Sequence, residues 1–420
     1  MSTLKKRTAA ANGAANGAAK DGQMEMLIGD RVYDVSEFAK RHPGGSIIKF
    51  GVGEDVTEMF KEFHCRVEDK AERYLKQVPS RAATDADRRT FRRDAVMDDF
   101  AALRAQLERE GYFEPSRAHF VYRVVELVVM HAVSAYLMLY GGFPLLGAAL
   151  FGISNGRCGW FMHECGHGSM TGVPLLDKKL QVFFYGLGNS MSASYWNNQH
   201  NKHHATPQKL QHDVDLRTLP LVAFDAEVPR TERASGATRA WLRLQHVLFA
   251  PVSTFLVVLG WAFYLHPRHA LRRGAYDELA CMALRHVLVF TFLTPPQFLL
   301  MAWCGGAYIF LNFALSHTHR PVAAADAHPN WVEYSAHYTV NIEGSWWCDW
   351  WMGYLNYQIE HHLFPAMPQF RQREIAPRVR ALFEKHGYTY HCISYWEGLR
   401  RTFVNLHEVG NEKESTVKKL

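Results

Sequence analysis

Histidines are concentrated in three short clusters of this 420-residue sequence. Within each cluster the first potential ligand lies three or four positions before the others. On an α-helix that spacing places side chains about one turn apart on one face, where they can converge on a metal. Three such faces can hold two metal ions. The cluster members are His163, His167, His200, His203, His204, Gln358, His361 and His362.

The number and type of these ligands favour one kind of metal. The segment from His163 to His167 reads His-Glu-Cys-Gly-His, which matches the HExxH pattern of zinc metalloproteases. A catalytic zinc needs only three protein ligands, so it would leave the other two clusters without a function. A site that is rich in imidazole and has no thiolate pairs favours a redox metal such as iron. The seven cysteines form no C-x-x-C pair, which argues against a disulfide framework or an Fe–S cluster.

The clusters lie in a sequence with the composition of a membrane protein. Hydrophobic residues make up 48% of the chain, yet the mean hydropathy is only −0.20, so strongly apolar segments must alternate with polar ones. Residues 121–140, 143–161 and 247–265 are long enough to cross a bilayer core of about 30 Å at about 1.5 Å per residue. Gly141-Gly142 joins the first two as a hairpin.

The apolar segment 283–315 is too long for one helix and contains Pro295-Pro296. Proline inside a helix costs about 3 kcal/mol, so we expect a break there. A shared metal site requires the clusters to lie on one side of the membrane. We therefore expect one full span near 298–315 and a partial insertion for 283–293, or the reverse. The predicted fold is an α-helical polytopic membrane protein of about four spans with a cytosolic histidine cap.

The N-terminal region has its own pattern. Residues 1–24 lack an apolar core and predict a disordered tail rather than a signal peptide. Residues 26–35 predict a β-hairpin with Gly29-Asp30 at the turn. His42-Pro-Gly-Gly follows, and a second histidine, His64, comes 22 residues after the first.

This region resembles cytochrome b5. The resemblance rests on Val32-Tyr-Asp-Val35, Phe38, His42-Pro-Gly-Gly45, Asp55-Val-Thr57 and His64. It implies a small α+β haem domain in which His42 and His64 bind the iron of haem b from opposite faces. Bis-imidazole ligation is typical of an electron-transfer haem. The sequence departs from soluble members at Phe63, where they usually carry glycine.

With the three clusters included, the chain from about residue 25 to 407 resembles the front-end fatty acid desaturases, in which a cytochrome b5 domain is fused to a membrane di-iron desaturase. Related desaturases and hydroxylases begin the third cluster with histidine, whereas front-end members carry glutamine, as at Gln358. Four further segments look most like microalgal and thraustochytrid delta-5 members that act on twenty-carbon polyunsaturated chains, and delta-6 members are close. These segments are Arg157–Trp160, His200–Asp215, Ser316–His319 and Tyr354–Gln358.

The resemblance implies a reaction and its cofactors. An unactivated methylene C–H is too weak an acid for any side-chain base, so its removal needs oxygen activated by two irons and two electrons. The seven clustered histidines would be the iron ligands, and Gln358 would ligate weakly or through water. Ser316-His317-Thr-His319 lies at the end of the last span, and there we favour His317 as a further ligand. Single histidines such as His266 lack converging spacing. We expect them to have structural roles or to contact metal ligands without binding the metal.

The partners expected are a polyunsaturated acyl chain as its CoA or phospholipid ester, O2, the bilayer and a separate NADH-cytochrome b5 reductase. Nucleic acid is not expected, because the net charge of +6 fits a membrane surface. The predicted location is the endoplasmic reticulum membrane with the haem domain facing the cytosol. A di-iron hydroxylase and a membrane-anchored electron carrier are the alternatives. The predicted segments are 1–24 (tail), 25–80 (haem domain), 81–118 (linker and interfacial helix), 119–407 (desaturase) and 408–420 (tail).

Overall fold

The computed structural model describes residues 23–412 and divides the chain into two compact units. The first unit extends to Ala105 and includes His328–Val332. The second unit contains Gln106–Ala327 and the chain from Glu333 onward. The predicted N-terminal tail, apart from its last two residues, lies outside the described residues, and so does 413–420 of the predicted C-terminal tail.

A three-stranded antiparallel sheet forms the framework of the first unit. The hairpin predicted from the sequence is present, with strands β1 (Glu25–Ile28) and β2 (Arg31–Asp34). Gly29 in its turn has a φ of 63°, a conformation that glycine adopts without steric cost. Strand β3 (Ser80–Ala82) pairs with β2. The sheet therefore continues past residue 80, where we expected the haem domain to end.

Short helices and two apolar clusters complete this unit. One cluster contains Met26, Tyr33, Val35, Val56 and Val78. The other joins residues of β1 and β2 to Phe91, which is buried. Part of the predicted linker 81–118 therefore packs into the first unit. The helices are α1 (Thr57–His64), α2 (Glu68–Leu75), α3 (Asp85–Thr90) and α4 (Ala95–Arg109), with 3-10 turns at Phe38–Lys40 and Gly45–Gly51.

Long helices form the framework of the second unit. They are α5 (Arg117–Leu139), α6 (Pro144–Gly166), α7 (Pro174–Asn189), α8 (Ala193–Ala205), α9 (Glu227–Thr231), α10 (Gly236–Leu242), α11 (Gln245–Arg273), α12 (Tyr276–Phe292) and α13 (Pro295–Ala314). Two glycines let α6 pack closely on its neighbours. A Cβ on Gly147 would lie 2.7 Å from the carbonyl oxygen of Ser134 in α5, and one on Gly152 would strike the backbone of Met301 in α13.

Within residues 23–412, three helices are long and apolar enough to cross a membrane: α5, α11 and α13. They contain the predicted span 247–265 and most of 121–140 and 298–315. Helix α6 contains all but the first residue of the predicted span 143–161 and is not among the three. The break at Pro295-Pro296 is confirmed, because α12 ends at Phe292 and Thr294 caps a new helix that begins at Pro295. These helices indicate an integral membrane protein.

The chain after α13 forms shorter elements that position the third histidine cluster. Helix α16 carries that cluster, and α17 follows it directly. Helix α18 continues to Asn411, so its end enters the segment predicted as the C-terminal tail. The elements are α14 (Trp331–Tyr338), β4 (Asn341–Ile342), α15 (Trp346–Trp351), α16 (Gln358–Leu363), α17 (Gln369–Lys385), β5 (Cys392–Ile393) and α18 (Tyr395–Asn411), and β4 pairs in parallel with β5.

Candidate metal centre

Five histidines from three helices form the first of two imidazole groups. Helix α6 supplies His163 and is followed directly by His167, α8 supplies His200 and His204, and α16 supplies His361. One ring nitrogen from each of the five lies within 4.8 Å of those of the others. We call this set group one.

Three more histidines form group two, which consists of His203, His317 and His362, again with nitrogens within 4.8 Å of one another. His362 Nε2 lies 3.1 Å from His317 Nε2. The side-chain amide of Gln358 lies beside this group, with its Nε2 atom 2.9 Å from the same nitrogen of His317. Every clustered residue singled out in the sequence thus lies at one of the two groups, and His317 is placed in the second.

Adjacent residues of one cluster serve different groups. His203 and His204 diverge on α8, and His361 and His362 diverge on α16. Successive residues on a helix are about 100° apart, so neighbouring side chains cannot share one direction. The expectation of a single converging face for each cluster is met by the first cluster alone. The two groups are nevertheless adjacent, because the rings of His204 and His362 stack with centroids 4.3 Å apart.

The nitrogen contacts within group one fit a bound cation. His200 Nε2 lies 3.1 Å from His167 Nε2 and 3.0 Å from His204 Nε2. Burial, followed by the neighbouring imidazoles, holds the pKa of His200 and of His204 well below the usual value, and lowers that of His167 to about 3. Neutral imidazoles that turn their lone pairs toward one another are the form in which histidine binds a metal, so a shared cation fits this arrangement. His361 Nε2, also buried, has no hydrogen-bond partner among the described residues.

A carboxylate supports one ligand of group two. His203 Nδ1 lies 2.9 Å from Asp213 and 3.4 Å from Asp215. Asp213 also accepts backbone N–H bonds from Gln208 at 2.7 Å and from Asp215 at 2.9 Å. Burial alone would lower the pKa of His203, but the two carboxylates raise it to about 9. The Nε2 atom of His203 is buried and has no partner among residues 23–412, so a metal that displaces its proton can bind there.

Amides support two ligands of group one instead. Gln369 and Gln372 are buried and lie three residues apart on α17, hence on one face. Their Nε2 atoms lie 2.5 Å from His163 Nδ1 and 3.5 Å from His361 Nδ1. An imidazole that binds metal through Nε2 carries its proton on Nδ1, so the amide oxygen is the atom that would accept it, after rotation of the amide. Sequence reasoning missed both glutamines and Asp213, because nothing in their spacing marks them.

The two histidines of the first unit fit a haem iron. The ring centroids of His42 and His64 are 6.4 Å apart. Metal–nitrogen bonds of about 2 Å on each side place two imidazoles that share one metal with their ring centres roughly 6 Å apart. Each Nδ1 atom lies near a backbone carbonyl, of Gly45 at 3.3 Å and of Phe60 at 2.8 Å, which leaves each Nε2 atom for the metal. Burial is the main reason why both histidines have a lowered pKa and remain neutral ligands.

An apolar cavity of about 600 Å³ in the second unit is lined in part by histidines of the metal centre. Its volume is within the range of about 300–1,000 Å³ that holds small-molecule ligands. His163 and His200 of group one line it. Most of the remaining wall is aromatic or aliphatic, including Trp160, Met162, Tyr185, Trp196, Trp261 and Val289. Such a wall suits a hydrocarbon chain.

These features define a membrane-bound di-iron oxidoreductase fused to a haem domain. Comparison with known families agrees with this class. The family described as "Fatty acid desaturase" matches residues 141–394, and the family described as "Cytochrome b5-like Heme/Steroid binding domain" matches residues 12–81.

Individual proteins are similar over nearly the whole chain. An "Acyl-lipid (8-3)-desaturase" of Rebecca salina is 52% identical over 93% of this chain and 92% of its own length. A protein of the same description from Thraustochytrium sp. is 46% identical over 100% of this chain and 98% of its own length. "Fatty acid desaturase 3" of Bos taurus is 28% identical over 93% of this chain and 91% of its own length. This chain belongs to the fatty acid desaturase family. It is an O2-dependent desaturase that uses a non-haem di-iron centre and carries haem in a fused cytochrome b5 domain.

Proposed function

We propose that this chain is an acyl-lipid delta-5 desaturase, which introduces a cis double bond between an existing double bond and the carboxyl end of a twenty-carbon polyunsaturated chain. The observation that carries the proposal is the contact of the apolar cavity with His163 and His200. A hydrocarbon chain in that cavity lies against the group of imidazoles that would hold one iron. The cofactor supplies the oxygen chemistry, so the protein has to position one pair of methylenes and exclude water.

The ligand assignment follows the two groups. The five histidines of group one hold one iron, and the three of group two hold the other, with Gln358 as a weak neighbour. An amide oxygen is neutral and is a weaker ligand than imidazole. The iron of group two would therefore keep an exchangeable coordination position. Asp213 holds the proton of His203 at Nδ1 and thereby keeps Nε2 directed to the metal.

The haem domain supplies electrons one at a time. His42 and His64 would hold haem b, and ligation by two imidazoles favours electron transfer over oxygen binding. Covalent linkage raises the effective concentration of this donor at the desaturase. A separate NADH-cytochrome b5 reductase reduces the haem, and the protein resides in the endoplasmic reticulum membrane with both cofactor domains in contact with the cytosol.

The substrate class is supported by resemblance at particular segments. Ser316–His319 and Tyr354–Gln358 resemble delta-5 members, and delta-6 members are the nearest alternative. Two similar relatives share the printed description "Acyl-lipid (8-3)-desaturase", which favours a glycerolipid ester over acyl-CoA as the carrier.

The test is expression in a host that makes no polyunsaturated lipid, fed one fatty acid at a time. Methyl esters are then separated by chromatography, and the new double bond is located by mass spectrometry. The expected product has a new cis bond at carbon 5, recovered first in phospholipid. The same host carrying His163→Ala is the control. A hydroxylated product would overturn desaturation, and a bond at carbon 6 would overturn the assigned position.

A further inference from the structure

The apolar cavity follows one face of α13 for most of the length of that helix. The residues of α13 that line the cavity recur every three or four positions, which is the spacing of one side of a helix. They include Phe298, Met301, Gly305, Ile309 and Phe313. The first and the last are 15 residues apart, a rise of about 22 Å at about 1.5 Å per residue. The cavity is therefore long as well as apolar.

One end of this wall lies beside the metal centre. The ring of Phe313 is 6.3 Å from that of His203 and 6.4 Å from that of His317 between centroids, and both histidines belong to group two. The other end lies at Phe298, close to the start of α13 at Pro295. The cavity wall thus extends from the metal centre to the opposite end of α13.

Four aromatic rings from three helices meet at the far end of the cavity. They belong to Phe263 of α11, His286 and Phe290 of α12, and Phe298 of α13, and we call them the aromatic end wall. The ring of Phe263 stacks on that of His286 with centroids 4.6 Å apart. The ring of Phe290 lies 6.2 Å from that of Phe263 and 5.3 Å from that of Phe298. Phe263, His286 and Phe298 line the cavity.

The same end wall is exposed at the surface of the helices. Phe263 is 47% exposed and Phe290 is 57% exposed, although Phe263 also lines the cavity. Both α11 and α13 are long and apolar enough to cross a membrane, so exposed rings between them meet the hydrocarbon of the bilayer. Phe263 lies in a π-helical turn, Trp261–Leu265, and such turns are frequent at functional sites. A single layer of side chains therefore separates the cavity from the bilayer.

The length of the substrate determines which of its parts reaches the end wall. This inference rests on the proposed function, because it places carbon 5 of a twenty-carbon chain at the irons. The fifteen carbons on the methyl side then extend over at most about 19 Å, for C–C bonds of about 1.5 Å joined at tetrahedral angles. The carboxyl carbon is only four bonds from carbon 5 and stays near the irons. The methyl end therefore comes up to the aromatic end wall.

We propose that the aromatic end wall is a gate between the cavity and the bilayer. The methyl end of an acyl chain longer than twenty carbons passes between Phe263 and Phe298, whose ring centroids are 6.4 Å apart, into the lipid hydrocarbon. The passage exchanges one apolar environment for another, so it exposes no hydrocarbon to water. A sealed pocket would instead reject a chain about tenfold or more for each additional methylene. The enzyme therefore measures its substrate from the carboxyl end and has no sharp upper limit of chain length.

The test compares three fatty acids whose double bonds have the same positions counted from the carboxyl end. Their chains have 20, 22 and 24 carbons, and all three are fed together to cells that express the protein and make no polyunsaturated lipid of their own. Conversion of each is its product divided by product plus substrate in phospholipid, so uptake and expression cancel. Wild type should convert the longer chains within about tenfold of the shortest. A fall of about 100-fold for the first two added methylenes would show a sealed pocket and overturn the inference.

Variants of Phe263 change the size of the gate in opposite directions. Phe263→Trp fills the gap and should lower conversion of the longest chain relative to the shortest by about tenfold, the effect of one methylene in a closed pocket. Phe263→Ala widens the gap and should raise the same ratio. Opposite shifts cannot come from loss of folding, which lowers conversion of all chains alike. Phe292→Trp is the matched control, because Phe292 is 59% exposed on α12 and does not line the cavity, and it should keep the wild-type ratio.

The outcomes separate the gate from the proposed function. If wild type introduces no bond at carbon 5 in any of the chains, the proposed function fails. If wild type converts the chains at carbon 5 and both variants of Phe263 keep the wild-type ratio, only the gate fails.

Discussion

The two imidazole groups share helices α8 and α16 but differ in what surrounds them. Group one has five histidines, and neutral glutamine side chains contact two of them from behind. Group two has three histidines and an amide neighbour, and a carboxylate contacts one of its rings from behind. On the proposed assignment one iron is nearly saturated with imidazole, and the other has a weaker, more open set of ligands. The same histidine clusters can therefore supply the ligands of two unequal metal sites.

The largest effect is expected from removing one ligand in either group. His163→Ala in group one and His203→Ala in group two should each abolish desaturation, because both irons are needed for the reaction. The absorbance of the haem should stay as in wild type, since its ligands belong to the other unit. Product analysis and the visible spectrum of the purified variants measure both effects.

The matched change in the first unit is His42→Ala. It should remove the bis-imidazole haem spectrum and leave the non-haem iron content unchanged. Full activity in either His163→Ala or His203→Ala would show that the corresponding group is not part of the catalytic site.

Gln358 is the residue at which group two departs from an all-imidazole centre. Gln358→Ala should lose most activity and keep an iron content near wild type, because a weak ligand contributes little to retention of the metal. Gln358→His should also lose activity, since a stronger ligand would occupy a position that oxygen or water needs. Iron analysis of both purified variants is the measurement. Loss of one iron in Gln358→Ala would instead make Gln358 a primary ligand.

Asp213 contacts His203 of group two through the ring nitrogen Nδ1, which is not the nitrogen proposed to bind the metal. Asp213→Asn preserves the shape of the side chain but removes the charge beside His203. We expect the affinity for one of the two metals to fall by about 10- to 100-fold, as is typical for the hydrogen-bond partner of a metal ligand. Titration of the metal-free protein with Co(II), followed by its absorbance, should then separate into a tight step and a weak step. Weakening of both steps to the same degree would argue against a role confined to group two.

The smallest effect is expected from the amides behind group one. Gln369→Leu and Gln372→Leu each remove a neutral hydrogen bond while four other imidazoles remain in place. The affinity for the metal of group one should fall by about tenfold or less, which is the lower end of the effect of such contacts. The same Co(II) titration reports it, and Asp213→Asn is the reference. An effect larger than that of Asp213→Asn would reverse the order proposed for the two groups.

The spacing of the clusters was sufficient to predict the metal centre, because i, i+3 and i+4 positions on a helix lie close together before any tertiary contact forms. It could not predict that His361 and His362 lie in different groups, since that depends on tertiary contacts such as those of the His361 ring with His163 and His204. The hairpin at Gly29 and the break at Pro295 were predictable because glycine and proline act locally. Asp213 and Gln369 were not, because each approaches a histidine through tertiary structure.

If the protein holds two unequal irons, Mössbauer spectroscopy of 57Fe-enriched protein will distinguish them. The spectrum should be recorded on His42→Ala, so that haem iron does not contribute. We expect two non-haem iron signals of equal area with different parameters, and a change confined to one of them in Asp213→Asn. A single iron per chain, or two irons that both respond equally to Asp213→Asn, would contradict it.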